Sequence, residues 1–227
     1  MSTMIDTLPR PGNASFWPRV GWILLLLGAL LAAGNALIFA TITDFNADYG
    51  SGGEFSAAGQ KARMFEIAAI GYAHTLGGMI ATLIGPFQFL GVVRRRYPVV
   101  HRWLGRVYLA CVFFSGLAGL YLSPGSYASN TFGIAFIALA LAWLYTGTRA
   151  YLSIRAGEVA AHRRWMIRNY ALTYAAVTLR VQMPLLIVFG GLSPILALNI
   201  VGWTCWVPNL IVVEAWFRRR RGALAAQ

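Results

Sequence analysis

His101-Arg102-Trp103-Leu104-Gly105-Arg106-Val107-Tyr108 is answered later in the chain by His162-Arg163-Arg164-Trp165-Met166-Ile167-Arg168-Asn169-Tyr170. In both stretches Trp is followed three residues on by Arg and five on by Tyr, with a His-Arg pair just upstream. Each stretch stands where a basic segment turns into a long apolar run. A phrase repeated in register at such a boundary predicts a duplicated helical hairpin with matched polar groups at one membrane depth.

Composition agrees. Only 11% of the 227 residues are charged and 58% are hydrophobic, with a mean hydropathy of +0.61. A soluble domain carries about 25% charged residues, so the chain reads as an integral membrane protein. Crossing a bilayer takes about 20 helical residues. Six apolar runs qualify, at 20–43, 64–93, 105–122, 131–153, 165–189 and 195–217.

The arginines set the expected orientation. With the N-terminus inside, sixteen arginines fall on the inner side, from Arg10 and Arg19 to the run Arg218–Arg221, and only Lys61 and Arg63 fall outside. The expected fold is therefore all-α and polytopic, with six transmembrane helices and both termini in. Helices 2–5 form a four-helix core from a parallel duplicated hairpin, and helices 1 and 6 flank it. The domain plan is a 1–19 cytoplasmic lead, a 20–217 membrane domain with core 64–189 and outer loop 44–63, and a basic 218–227 tail. The net charge of +12 needs no nucleic acid to explain it. Basic inner loops are what topology demands, and they attract anionic lipids. The first apolar run exceeds the about 7–15 residues of a signal-peptide core, so it is kept as a helix. Cys111 and Cys205 both fall inside spans and read as free thiols packed as small apolar groups.

Polar residues inside apolar runs are the candidates for chemistry. In the second run Gly71, His74, Gly78, Ala81, Gly85 and Gln88 fall on one helix face. Small residues there permit close packing, or they line a slot into which His74 projects toward a flat cofactor. Arg180 lies about 18 Å above Arg168 at about 1.5 Å per residue. A central charge costs from about 2.5 to more than 10 kcal/mol, so Arg180 needs a partner. Glu66 is one candidate; a haem propionate or quinone carbonyl is another. Arg106 and Arg168, the arginines of the repeated phrase, are counted with His74, His101, His162, Arg180, Gly78 and Gln88 as candidate cofactor-binding residues. Of the three histidines, His101 and His162 alone share a depth. They are the one geometrically plausible bis-histidine pair, the two imidazoles standing about 4 Å apart across an iron. His74 lies roughly 25 Å away along the axis and would serve a separate site. There is no phosphate-cradling glycine loop, no HExxH and no CxxC.

The run His74…Gly85-Pro86-Phe87-Gln88-Phe89, Arg94, and the first repeated phrase resemble a bacterial family of predicted membrane proteins, domain of unknown function 2306. The second phrase with Arg180 and Pro184 fits the same pattern, and the resemblance covers roughly residues 65–190. It implies a multi-pass protein of the bacterial inner membrane and brings no activity with it. More distantly, the histidine-bearing core is similar to membrane b-type cytochromes, but three histidines fall short of the four that two bis-histidine haems require. Two functional readings follow. In one, the bundle holds a single b-type haem or a quinone and works in electron transfer. In the other, the chain is a non-catalytic carrier, sensor or assembly subunit, with a redox or assembly partner protein and with these residues structural.

Overall fold

The computed structural model describes residues 16–41, 68–124 and 130–225, and every regular element among them is helical. The elements are α1 (Phe16–Thr41), α2 (Ala68–Gln88), α3 (Gly91–Arg96), α4 (Pro98–Leu122), α5 (Asn130–Arg155), α6 (Val159–Thr173), α7 (Ala175–Pro184), a π-helical turn (Leu185–Phe189), α8 (Pro194–Thr204) and α9 (Val207–Ala225). Four stretches among the described residues are long and apolar enough to cross a bilayer: Pro98–Leu122, Thr131–Arg155, Val159–Phe189 and Pro194–Arg220. α1 contributes a shorter apolar stretch, Val20–Asn35. The acidic residues Asp44, Asp48, Glu54 and Glu66, and the whole 44–63 loop, lie outside the described residues.

The helices form a ring. α2 packs on α4, α4 on α5, α5 on α6, and α6 closes back on α2. α1 lies against α2 and α7, while α8 and α9 cover α5, α6 and α7. Two hairpins thus make the core, α2–α4 and α5–α6, and their connections stand at the same end of the bundle. The connections themselves differ. The first holds the short helix α3 and enters α4 through Pro98 at its first turn, a position that needs no N–H donor. The second is a tight turn in which Gly157 takes φ +77°, a conformation that only glycine adopts freely.

Two helices start earlier than hydropathy places them. α4 begins at Pro98 and α6 at Val159, so His101 and His162 lie inside their helices, in the first turn and a half. Polar residues at a helix start are invisible to a hydropathy window, but Pro98 after Tyr97 is a start signal in its own right. Two helices are also interrupted, at Tyr174 between α6 and α7 and at Cys205-Trp206 between α8 and α9.

Close approach in the ring depends on missing side chains. A Cβ on Gly85 would run into the ring of Tyr170, and one on Gly147 would lie 3.3 Å from Val112 and 3.4 Å from the Asn169 amide. Gly85 and Gly147 stand 62 residues apart, as do Trp103 and Trp165. The 62-residue spacing therefore carries from the repeated phrase into the preceding helix, and each hairpin offers a gap to the other.

Candidate functional site

At the centre of the ring, Tyr108 and Tyr170 are nearly or wholly buried, their ring centroids 6.5 Å apart. Tyr108 donates to Asn169 Oδ1 at 2.7 Å and lies 2.8 Å from Thr173 Oγ1. Thr173 Oγ1 also accepts from Trp143 Nε1 at 2.8 Å, and the Asn169 amide donates to Trp143 O and Thr146 Oγ1. Donors and acceptors in this cluster consume one another. It ties α4, α5 and α6 together and leaves no polar valence for a ligand.

Above it the bundle holds a cavity of about 470 Å³, walled by α1, α2, α4, α5, α6, α7 and α8, within the range of small-molecule sites. His74 and Arg180 both line it, as do Asn35, Thr75, Gly78, Ser115 and Gly119, and Trp143 and Thr173 reach its floor. α2 and α4 are clamped reciprocally at this level. Ser115 Oγ donates to His74 O at 2.7 Å, and His74 Nδ1 lies 3.1 Å from Ser115 O. A carbonyl oxygen only accepts, so Nδ1 carries the proton and Nε2 the lone pair. Gly119 admits the imidazole: a Cβ there would lie 3.0 Å from Nδ1.

Arg180 enters from the opposite wall. Its Nε donates to Asn35 Oδ1 at 3.1 Å and one terminal nitrogen donates to Ala176 O at 2.9 Å. Among the described residues no carboxylate comes within ion-pair distance of it. Its field reaches His74. The hydroxyl of Thr75, on the same cavity wall, is buried without a hydrogen-bond partner. Unspent polarity therefore lines the cavity: a lone pair on His74, N–H groups on Arg180 and a hydroxyl on Thr75. Most of the remaining lining is apolar, and its other polar side chains, such as Asn35, Ser115 and Thr173, are already hydrogen-bonded.

The other candidates are distributed differently. Gly78 lines the cavity, next to the Ser115 hydroxyl. Gln88 lies two turns and more below, buried, with Nε2 unpartnered. His101 and His162 sit at the end of the bundle where the hairpins turn, within each other's electrostatic reach. His162 Nδ1 lies 2.8 Å from Ala150 O, so it too donates from Nδ1, whereas His101 Nδ1 is buried without a partner. Arg106 is exposed on the outer face of α4, its guanidinium 4.8 Å from the Trp103 ring. Arg168 is committed to Glu214 of α9, with Nε bonded to Oε1 and the second contact at 2.9 Å. Neither arginine faces the cavity. No three His, Cys, Asp or Glu residues gather into one group among the described residues.

Sequence reasoning missed Asn35, Thr75 and Ser115 as members of the His74–Arg180 site. For Ser115 a signal exists: Tyr108, Val112, Ser115 and Gly119 repeat at spacings of four, three and four, one face of α4. Asn35 stands as an amide within an apolar helix, which is itself a flag.

The model of the family described as "predicted membrane protein (DUF2306)" matches residues 71–217. The chain belongs to that family. No curated protein and no solved structure matches it.

Proposed function

From membership of a membrane-protein family, we propose that the chain is a multi-pass protein of the bacterial inner membrane that holds a quinone-class molecule in the His74–Arg180 cavity. In this reading α1 and α2 complete six spans, both termini face the cytoplasm, and the cavity lies in the outer half of the bundle. The arginine count of the inner segments supports that orientation.

The observation that carries the reading is the pairing of a guanidinium that has no carboxylate partner among the described residues with an imidazole lone pair across one largely apolar cavity. A quinone is flat and apolar except at its oxygens. Arg180 donates to a carbonyl or to an oxygen that gains negative charge. His74 Nε2 accepts from the hydroxyl of the reduced form, so both oxidation states find a partner. Charge-assisted bonds of this kind contribute about 1.5–3 kcal/mol each. The saturated Tyr108–Asn169–Thr173–Trp143 cluster seals the floor and directs the polar end of the ligand toward His74 and Arg180.

Trp143 in the cavity floor supplies the readout. Titrating a short-chain quinone into the purified protein should quench tryptophan fluorescence. Arg180→Ala and His74→Leu should each weaken binding by about 10–100-fold. Equal affinity in wild type and both variants would refute the proposal.

A further inference from the structure

The end of the bundle where the hairpins turn carries a second constellation, made of donors. Arg94 on α3, in the first connection, and the exposed Arg163, near the start of α6 just past the second connection, lie within each other's field. Burial, together with the charges of Arg163 and Arg95, holds the Arg94 guanidinium below its usual range. Among the described residues neither arginine pairs with a carboxylate. Glu158, the one acid in the second connection, is exposed and makes no ion pair. Arg95 folds back over its own helix, a terminal nitrogen 3.1 Å from where a Cβ on Gly91 would stand. Like charges brought together from the two hairpins repel, and among the described residues no carboxylate offsets the repulsion.

At the same end of the bundle two polar atoms are buried without partners among the described residues, His101 Nδ1 and Gln88 Nε2. Gln88 is only 6% exposed. His101 feels the charge of Arg94, and a Cβ on Gly105, one turn on from His101, would lie 3.6 Å from Gln88 Oε1. Two guanidiniums, an amide N–H₂ and an imidazole that can donate make a mouth of donors with no competing acceptor charge. Arginine is the side chain best matched to phosphate oxygens.

We propose that Arg94 and Arg163, backed by His101 and Gln88, bind a phosphate-bearing anion at the turn end of the bundle. The phosphate belongs to a lipid head group or to a small soluble anion, and this site is separate from the cavity of His74 and Arg180. The bound anion offsets the repulsion between the two arginines and joins the α2–α4 hairpin to the α5–α6 hairpin.

The test uses the full-length protein in detergent and follows its Tm in inorganic phosphate and in chloride at matched ionic strength. Wild type should gain roughly 5 °C or more at about 100 times Kd. The Arg94→Gln, Arg163→Gln double variant should lose the gain while its Tm in chloride stays equal or rises, because the like charges are gone. An Arg155→Gln, Arg164→Gln control at the same end should keep it. Nanodiscs of phosphatidylcholine with and without phosphatidic acid separate the sources: stabilisation by phosphatidic acid alone assigns a lipid head group, and stabilisation by free phosphate assigns a soluble anion. The proposal is overturned if wild type gains in neither arm, or if both double variants lose the gain alike. A Soret band abolished by His101→Ala would also overturn it, since it would give this mouth to a haem on His101 and His162.

Discussion

The two copies of the repeated phrase agree in their tyrosines and part company in their arginines. Tyr108 and Tyr170 both point into the core, side by side. Trp103 is 60% exposed and its Arg106 stacks on it from outside. Trp165, in contrast, is flanked by Arg149 at 5.2 Å and Arg168 at 4.9 Å, and Arg168 reaches across to Glu214. The cause is the neighbour. α9 covers α6, whereas among the described residues nothing of that kind covers the same face of α4. A repeat thus dictates what faces the shared core. What lies against its outer surface decides the fate of the remaining positions.

The sharpest way to break the shared half of this comparison is Asn169→Leu. It leaves the Tyr108 hydroxyl, Trp143 O and Thr146 Oγ1 short of partners in the core. Each group keeps one other partner, so at about 0.5–1.5 kcal/mol per lost bond a loss of roughly 2–4 kcal/mol is expected, read as a large fall in Tm in detergent.

A smaller effect separates the two tyrosines. Tyr108→Phe disturbs Asn169 and Thr173 together and should cost about 1.5–3 kcal/mol. Tyr170→Phe gives up a single 3.1 Å bond to Thr82 O and should cost about 1 kcal/mol or less. Equal costs would mean that the cluster has no cooperative centre at Tyr108.

The arginines should differ least. Glu214 is 42% exposed, so the two-point pair with Arg168 is screened, and Glu214→Ala should cost about 1 kcal/mol or less. Arg106→Ala should fall within about 0.5 kcal/mol of wild type. A double-mutant cycle on Arg168 and Glu214 isolates the pair, and a coupling no larger than that between Arg106 and Trp103 would erase the distinction.

The sequence discloses the hairpins because local signals mark them: an apolar run, a basic turn, and a phrase repeated at a fixed separation. It also discloses His74 and Arg180, since a polar group in an apolar helix advertises a cost. It does not disclose their partners. Ser115 lies 41 residues from His74 and Asn35 lies 145 from Arg180, and no local pattern encodes which helices meet. Arg168 and Arg106 were indistinguishable for the same reason, because Glu214 arrives from a helix outside the repeat. Helix starts at Pro98 and Val159 escaped a hydropathy reading because their first turns are polar. Of the residues that stand out in the sequence, His74, Gly78 and Arg180 line the cavity, while the repeated phrase lies at the turn end of the bundle. The cavity lies where the two copies have diverged.

That divergence follows from Gly85 and Gly147. Each hairpin receives bulk from the other at a glycine, which is the reciprocity of a two-fold dimer interface, where the surface offered is also the surface accepted. In a dimer of identical hairpins every change would appear twice. Joined in one chain, the copies are free to differ at equivalent positions. Sixty-two residues beyond His74 stands Phe136, on the wall of the same cavity. The cavity thus carries an imidazole from α2 and a phenyl ring from the equivalent position of α5, at a level where a symmetric pair would have presented two alike.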